Sequence, residues 1–419
     1  MHLGWKLRRL SHLVHRVAGS IAMRGWRGTL RRALHERPRV ADVATPIEVR
    51  APAGAAPYRR ILIVDSMTPD PSRDSGSMRL CQIFALLHAD GWAIDFLADD
   101  GDTSPADAAR LGELGVRIVA EPPLPWLARE GRQLEAVMLC RLPVADQYHG
   151  VVRRYAPHAK LLFDTVDLHF IREQRAAELA GTAALARRAR RSERRELDMV
   201  HRSDIVFVVS GEERAVLSTK APSSQVEVVS NIHAARGRAG GFQGRSGLLF
   251  VGGFGHPPNE DAVRWFIDEV LPLLRDRDPS IVLHVAGDID LAARRRIERE
   301  GVVVHGRVPD LTPLLDRSLV SVAPLRFGAG VKGKVNQAMS HGLPVVLTRI
   351  AAEGMYLQDG VNAMIADDAA DMAAAILRLH HDEALWLQLS DAGVNNIRQY
   401  FSAEQARAAL RRALGARPS

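Results

Sequence analysis

The stretch APLRFGAGVKGKVNQAMSHGLPVV, residues 323–346, passes from an apolar run through a glycine loop into a helical pattern. A strand is expected to end at Pro324, Gly328–Ala329–Gly330 form the loop, and a helix is predicted to open at about Val331. Glycine lets backbone approach an anion, and a helix N-terminus presents unpaired N–H groups at the positive end of its dipole. Lys332 and Lys334 fall in the first turn, where their charge opposes that dipole. Cations placed there make sense if a polyanion such as a diphosphate binds. The plainer reading is a strand–loop–helix junction that uses glycine for a tight turn.

Outward from this segment the same rhythm repeats. GLLFVGGF (247–254), IVLHVAGD (281–288), GVVVHG (301–306), LVSVAPL (319–325), LPVVLT (343–348) and AMIADD (363–368) read as strands. Helical patterns lie between them over 259–275, about 289–299, 310–316, 331–341 and 369–379. Upstream, ILIVD (61–65), WAIDFLA (92–98), VRIVA (116–120), AVMLCR (136–141), KLLFDTVD (160–167) and IVFVVS (205–210) continue it, with one long arginine-rich helix over roughly 171–202. Short, continuously apolar strands separated by helices imply parallel sheets covered on both faces. The expected fold is therefore α/β, with two Rossmann-like doubly wound domains. The expected organisation is a basic amphipathic region at 1–40, an Ala/Pro-rich linker at 41–57, a first domain at 58–240, a second at 241–395, and a C-terminal helical segment at 396–419.

Composition narrows the class. The chain has 419 residues, enough for two domains, and 47% of them are hydrophobic, enough for sizeable cores. Two cysteines, Cys81 and Cys140, give neither a disulfide framework nor a metal-ligand cluster and suit a reducing, cytoplasmic compartment. No secretory signal and no apolar run of about 18 residues is visible. The net charge of +7 is concentrated: residues 1–40 hold ten Lys/Arg against Glu36 alone, so the remainder is slightly acidic. In that region Leu3, Leu10, Leu13, Val14, Val17 and Ile21 recur at helical spacing with Trp5 and Trp26 near its ends. Two readings stand: a helix lying on an anionic membrane surface, or one packed on its own domain. The run Arg187, Arg188, Arg190, Arg191, Arg194 and Arg195 lacks the interleaved aromatics of a nucleic-acid binder. Glu193 and Glu196 lie within helical reach, so it reads as a solvated face.

The segment 323–346 resembles the C-terminal signature of family 4 glycosyltransferases of the GT-B fold, PLR-x-G-x-G-x-(K/R)-x-K-V-x-E-A-M-x-x-G-x-P-V-V. Pro324, Leu325, Arg326, Gly328, Gly330, Lys332, Lys334, Val335, Ala338, Met339, Gly342, Pro344, Val345 and Val346 fall on it. Gln337 departs from it, standing where the pattern has a glutamate for the ribose hydroxyls. FVGGFGHPPNEDAVRWF (250–266), VVVHGRVPDL (302–311) and AAEGMYLQDGVNAMIADD (351–368) extend the resemblance, which spans roughly residues 58–400.

The resemblance implies two domains facing across a cleft and transfer of a sugar, with retention, from a nucleoside diphosphate sugar to a hydroxyl of a glycan, free or lipid-linked. It implies no separate cofactor and no bound metal, and the tail would hold the protein at the inner face of the membrane. Catalytic roles would fall on His169, Lys332, Arg326 and Glu353. The nucleotide diphosphate would be held by Gly76, Gly253, His256, Gly306, Gly328, Ala329, Gly330, Val331, Lys334 and Gln337. For His256 the alternative is an exposed loop histidine, for Arg326 an anchor of its loop, and for Asp164, Asp167 and His169 simple capping of a strand end. Asn259 is expected to cap the helix after the 252–256 loop. A nucleotide-sugar epimerase of related fold, or an inactive scaffold of a glycan-assembly complex, are the competing functions.

Overall fold

The computed structural model describes residues 59–71, 74–328 and 330–415, so the expectations for the tail, the linker, Ala329 and the last four residues lie outside it. The first domain contains a seven-stranded parallel sheet. Its strands are β1 (Arg59–Asp65), β2 (Trp92–Ala98), β3 (Val116–Ile118), β4 (Ala136–Cys140), β5 (Lys160–Asp164), β6 (Ile205–Val208) and β7 (Val226–Val228), in the order β3-β2-β1-β4-β5-β6-β7. The second sheet has six parallel strands: β8 (Leu248–Val251), β9 (Leu283–Ala286), β10 (Val302–Gly306), β11 (Val320–Ala323), β12 (Val345–Leu347) and β13 (Met364–Ile365), in the order β10-β9-β8-β11-β12-β13.

Strand alternation explains the layering of the first domain. Ile61 and Ile63 of β1 enter one core with Phe84 and Phe96, while Leu62 and Val64 enter the other with Phe163 and Val206. The helix Ala403–Leu414 completes the first of these cores: Ala406, Ala409, Leu410 and Ala413 bury into it, and Arg407 and Arg411 both bind Asp90. The chain thus returns to the first domain after the second, and the two crossings touch where His233 N–H donates to the Phe401 carbonyl at 2.8 Å.

Both sheets reverse strand order at their first strand, between β1 and β4 and between β8 and β11. In open α/β sheets ligands bind at the carboxyl ends of strands at such switch points. The loops that follow β1, β4, β8 and β11 are therefore where chemistry is to be sought. One helix differs from expectation. The arginine-rich stretch is two helices, His169–Ala180 and Ala183–Arg202, because Gly181 adopts φ 63° and ends the first in the left-handed region.

Candidate functional site

The loop after β11 leads into the helix Gly333–Ser340, which starts two residues later than the glycine pattern suggested. Val331 is not helical; it packs half-buried against the second core, and its carbonyl lies 3.4 Å from Asn231 Nδ2. Gly330 has φ 70°, the backbone region that favours glycine, and a methyl group there would sit 3.3 Å from Asp167 Cβ of the first domain. At Gly333 the approach is closer. A methyl group would lie 2.5 Å from Ser75 Cβ, at the N-terminus of the helix Ser75–Ala89. Two helix N-termini, one from each domain, thus meet at the mouth of the cleft.

The second of these ends is electrostatically open. Lys332 occupies its N-cap position, no side chain caps it, and its first turn has no acidic residue. The Lys332 ammonium donates to the Gly330 carbonyl and the Lys334 ammonium to Asn259 Oδ1. Lys334 also stands 4.3 Å from the centroid of the Phe250 ring. Both acceptors are neutral, and neither lysine forms an ion pair with a carboxylate among the described residues. Burial pushes Lys332 down to about 8, with Arg175 acting in the same sense. Burial, then the charge of Lys332, pushes Lys334 down to about 7. Glu353, Glu213 and Asp167 favour the charged form of Lys332 from a distance without pairing with it, and no carboxylate offsets the burial of Lys334.

Around this centre the loop after β8 approaches closely. A methyl group at Gly252 would lie 2.8 Å from Lys334 Nζ, and Gly253 lies beside Asp288. Asn259 does not cap its helix. His256 holds the N-cap position, without a side-chain bond, and Asn259 points back to donate to the Gly253 carbonyl at 2.8 Å. His256 itself is exposed. Gly306, at the end of β10, has φ 71° and open space around its Cα. Arg326 turns away from the lysines to pair with Asp261 of the helix Pro257–Trp265, at 2.9 Å from Nε, so it anchors the loop. Gln337 lies half-buried in the Gly333–Ser340 helix, its carbonyl accepting from Ser340 Oγ at 2.8 Å.

Opposite stands the carboxyl edge of the first sheet, and here the charges are matched. Asp164 binds buried Arg79 through both oxygens at 2.7 and 3.0 Å, and Asp65 accepts from Arg141 Nε at 2.9 Å. The Ser75–Ala89 helix carries an N-cap, Asp74, which accepts from Ser77 N–H at 2.8 Å. Gly76 packs between Arg141 and Val166, both of which have positive φ, 72° and 63°. For β-branched Val166 this conformation is strained.

His169 starts the helix His169–Ala180, with Nε2 3.3 Å from Asp167 Oδ1. Burial, helped by Arg172, pushes the imidazole down to about 4, so it is neutral at physiological pH. Its backbone N–H and that of Phe170 donate to the carboxylate of Glu196 at 3.2 and 3.1 Å. Glu213 accepts in the same way from Leu168 and Val209 N–H at 3.2 and 3.1 Å. Burial raises Glu196 to about 8 and Glu213 to about 7. Neither residue stood out in the sequence as part of the site.

Glu353 is also spoken for. Arg175 of the His169–Ala180 helix grips it through both guanidinium nitrogens, one contact at 2.6 Å, and donates to the Gly328 carbonyl at 2.7 Å. This clasp joins the two domains directly over the glycine loop. Arg175 was missed because its partners lie 153 and 178 residues away. A cavity lined by Arg175, Glu213, Gly330 and Glu353 encloses about 50 Å³. Ligand pockets commonly reach roughly 300–1,000 Å³, so a substrate of nucleotide size needs the clasp to part before it can enter here.

Residues 245–382 match the family described as Glycosyl transferases group 1. A 44.6 kDa protein in the cps region of Klebsiella pneumoniae is 27% identical over 139 residues, which cover 31% of this chain and 36% of that relative. The match thus spans little more than a third of the relative's length. Sucrose-phosphate synthase from Thermosynechococcus elongatus superposes with a TM-score of 0.66 at 18% identity, over 84% of this chain and 98% of its own. HepE of Anabaena, in complex with UDP and glucose, gives 0.63 at 13%, over 86% and 100%. A glycosyltransferase from Rickettsia africae gives 0.62 at 11%, over 85% and 98%. These likenesses show the fold, GT-B, with its two parallel-sheet domains.

Proposed function

We propose that the chain transfers a sugar from a nucleoside diphosphate sugar to a hydroxyl of a growing glycan, a reading supported by the match of residues 245–382 to the family described as Glycosyl transferases group 1. The observation that carries this reading is the pair of ammonium groups, buried Lys332 and half-buried Lys334, held by neutral acceptors at an uncapped helix N-terminus. A diphosphate would give both ammonium groups the direct anionic contact that no described carboxylate makes with them. HepE's complex with UDP supports a nucleotide donor. The Klebsiella relative's place in a cps region supports a polysaccharide setting.

In the proposed reaction the bond from the anomeric carbon to the β-phosphate oxygen breaks while the acceptor oxygen bonds to that carbon with retention, and the acceptor's hydroxyl proton passes to the departing phosphate oxygen. Negative charge grows on the departing diphosphate. Backbone N–H groups of the Gly333–Ser340 helix and the two lysines stabilise it, and one such donor is worth about 3–4 kcal/mol. Neutral His169 faces the donor from the first domain, and Glu353, once released by Arg175, meets the sugar hydroxyls. No metal or separate cofactor is required, and the acceptor is a lipid-linked glycan at the inner face of the membrane, approached through residues 1–40. Among the described residues no helix is long and apolar enough to cross a membrane.

A thermal-shift series with UDP, GDP and dTDP, each with its sugars, tests this. Binding at 100 times the dissociation constant adds about 2.7 kcal/mol to stability. One nucleotide series is expected to raise the melting temperature clearly above the others. If none does, the donor assignment falls.

A further inference from the structure

The helix Ala183–Arg202 buries Ala189, Glu196, Met199 and Val200 against the first domain and turns an arginine face outward. On that face Arg187, Arg190, Arg191 and Arg194 recur at the i, i+3, i+4, i+7 spacing that lines one side of a helix. All four are exposed, and none pairs with a carboxylate among the described residues. From Arg187 to Arg194 is seven residue steps, about 10 Å of helix.

The acidic residues that would neutralise them are committed elsewhere. Glu196 points inward and accepts the His169 and Phe170 N–H groups. Glu193 binds Lys220 at 2.6 Å, Glu173 binds Arg188 and Ser192, and Asp146 binds Arg195. The face is solvated, as the sequence suggests, but Glu193 and Glu196 do not compensate it. Like charges at i, i+3 and i+4 destabilise a helix. Cations near the start of one, with no acidic residue in the first turn, do so again. Nothing within the described chain offsets these costs.

We propose that this stripe is a contact surface for an anionic membrane. The face is one exposed side of a single helix, and neither of the cavities lined by Arg59 and Lys160 or by Arg175 and Glu353 borders it. It carries no exposed aromatic or large aliphatic residue to insert, so the contact is electrostatic and lies at the phosphate level. This surface is independent of residues 1–40, and it lies on the helix that packs against His169–Ala180, next to the cleft. Contact there sets the orientation of the cleft as well as the attachment.

The test uses the full chain with vesicles of phosphatidylcholine, with and without a third of phosphatidylglycerol, at low and high salt. Wild type is expected to sediment with the anionic vesicles at low salt and to be released at high salt. Combining Arg187→Gln, Arg190→Gln, Arg191→Gln and Arg194→Gln is expected to weaken partitioning by about fivefold per charge removed, at an unchanged circular dichroism spectrum and nucleotide affinity. The corresponding four Arg→Lys changes keep the charge and are expected to keep the binding. Equal partitioning of the glutamine variant overturns the proposal, as does failure of wild type to bind anionic vesicles at low salt. Loss of binding in the lysine variant also overturns it, because attachment would then depend on bidentate guanidinium contacts rather than on the charge of the stripe.

Discussion

Two helices begin face to face at the cleft, and they are finished in opposite ways. The Ser75 end is closed: Asp74 caps it, and the neighbouring Asp65, Asp164, Arg79 and Arg141 pair off among themselves. The Gly333 end is left open, with a lysine at the cap position, a second lysine in the first turn, and only a carbonyl and an amide to receive their protons. Both are helix N-termini at a topological switch point, so dipole and topology alone do not distinguish them. The difference is local charge balance. An incoming polyanion gains little at the first, where the Asp74 carboxylate already stands, and a great deal at the second.

The strongest way to break this comparison is to remove the excess charge. Lys332→Ala or Lys334→Ala is expected to lower kcat/KM for transfer at least about 100-fold and to weaken nucleoside diphosphate binding in calorimetry. Asp74→Ala serves as the opposite-side control. The pH dependence sharpens the assignment. The free lysines titrate at about 8 and about 7, well below an ordinary lysine, and a bound diphosphate favours their charged forms. Nucleotide affinity is therefore expected to be greatest below pH 7 and to fall as pH rises through 7 and 8. Binding at pH 8 should take up protons, visible as a dependence of the calorimetric heat on the buffer's ionisation enthalpy. In the unliganded protein the unfolded lysines bind protons up to about pH 10. Stability should accordingly rise with pH between about 7 and 10 through these two groups. A flat affinity profile across pH 6 to 9 would remove the lysines from the site.

Next in size is an effect of contact rather than charge. In isolation, alanine favours a helix over glycine by about 1 kcal/mol. At Gly333, however, the added methyl would stand 2.5 Å from Ser75 Cβ. Gly333→Ala is thus expected to hold the two helix ends apart, with thermal stability no higher than wild type because the overlap offsets the propensity gain. Misplacement by about 1 Å can cost about 100-fold in rate, so a loss of tenfold or more in kcat/KM is expected. Wild-type activity in this variant would show that the two ends need not meet during turnover.

A smaller effect belongs to the closed end. Asp74→Ala removes the bond to Ser77 N–H and is expected to cost about 1 kcal/mol in chemical denaturation. Nucleotide affinity should stay within twofold, because that end is not where the anion binds. A large drop in affinity with little change in stability would reverse the roles given to the two helices.

What the sequence disclosed follows the range of the interactions involved. ILIVD and LVSVAPL announce buried parallel strands through local composition, and the glycine–lysine segment announces the open helix end within a dozen residues. The two doubly wound sheets expected from that rhythm are the sheets of the GT-B fold seen here. Pairings that depend on packing stayed hidden. Arg175 meets Glu353 across 178 residues, and Arg79 meets Asp164 across 85. Glu196 looked like a helical neighbour of arginines, yet it caps another helix, because only the packing of the two turns its carboxylate inward. The break at Gly181 was missed because a single glycine inside a polar helical pattern costs only about 1 kcal/mol, and tertiary context decides whether the helix continues. Asn259 sits three residues after its helix's true cap, His256, a shift that capping preference alone does not resolve.

The smallest expected effect concerns Gln337, one helical turn beyond the open end. A glutamine there can both donate and accept, but it brings no charge, whereas the related signature has a glutamate. Gln337→Glu adds an acceptor suited to ribose hydroxyls. It also places a negative charge within the same short helix as Lys332 and Lys334, which would offset part of their pull on a diphosphate. A hydrogen bond to a charged group is worth about 1.5–3 kcal/mol against about 1 kcal/mol for a neutral one. The gain at the ribose is therefore about 1 kcal/mol, and the loss at the diphosphate subtracts from it. Calorimetry should find nucleoside diphosphate binding equal to wild type or up to about fivefold tighter. Weaker binding would mean that the ribose does not reach Gln337, and that the helix is read by the nucleotide only at its open end.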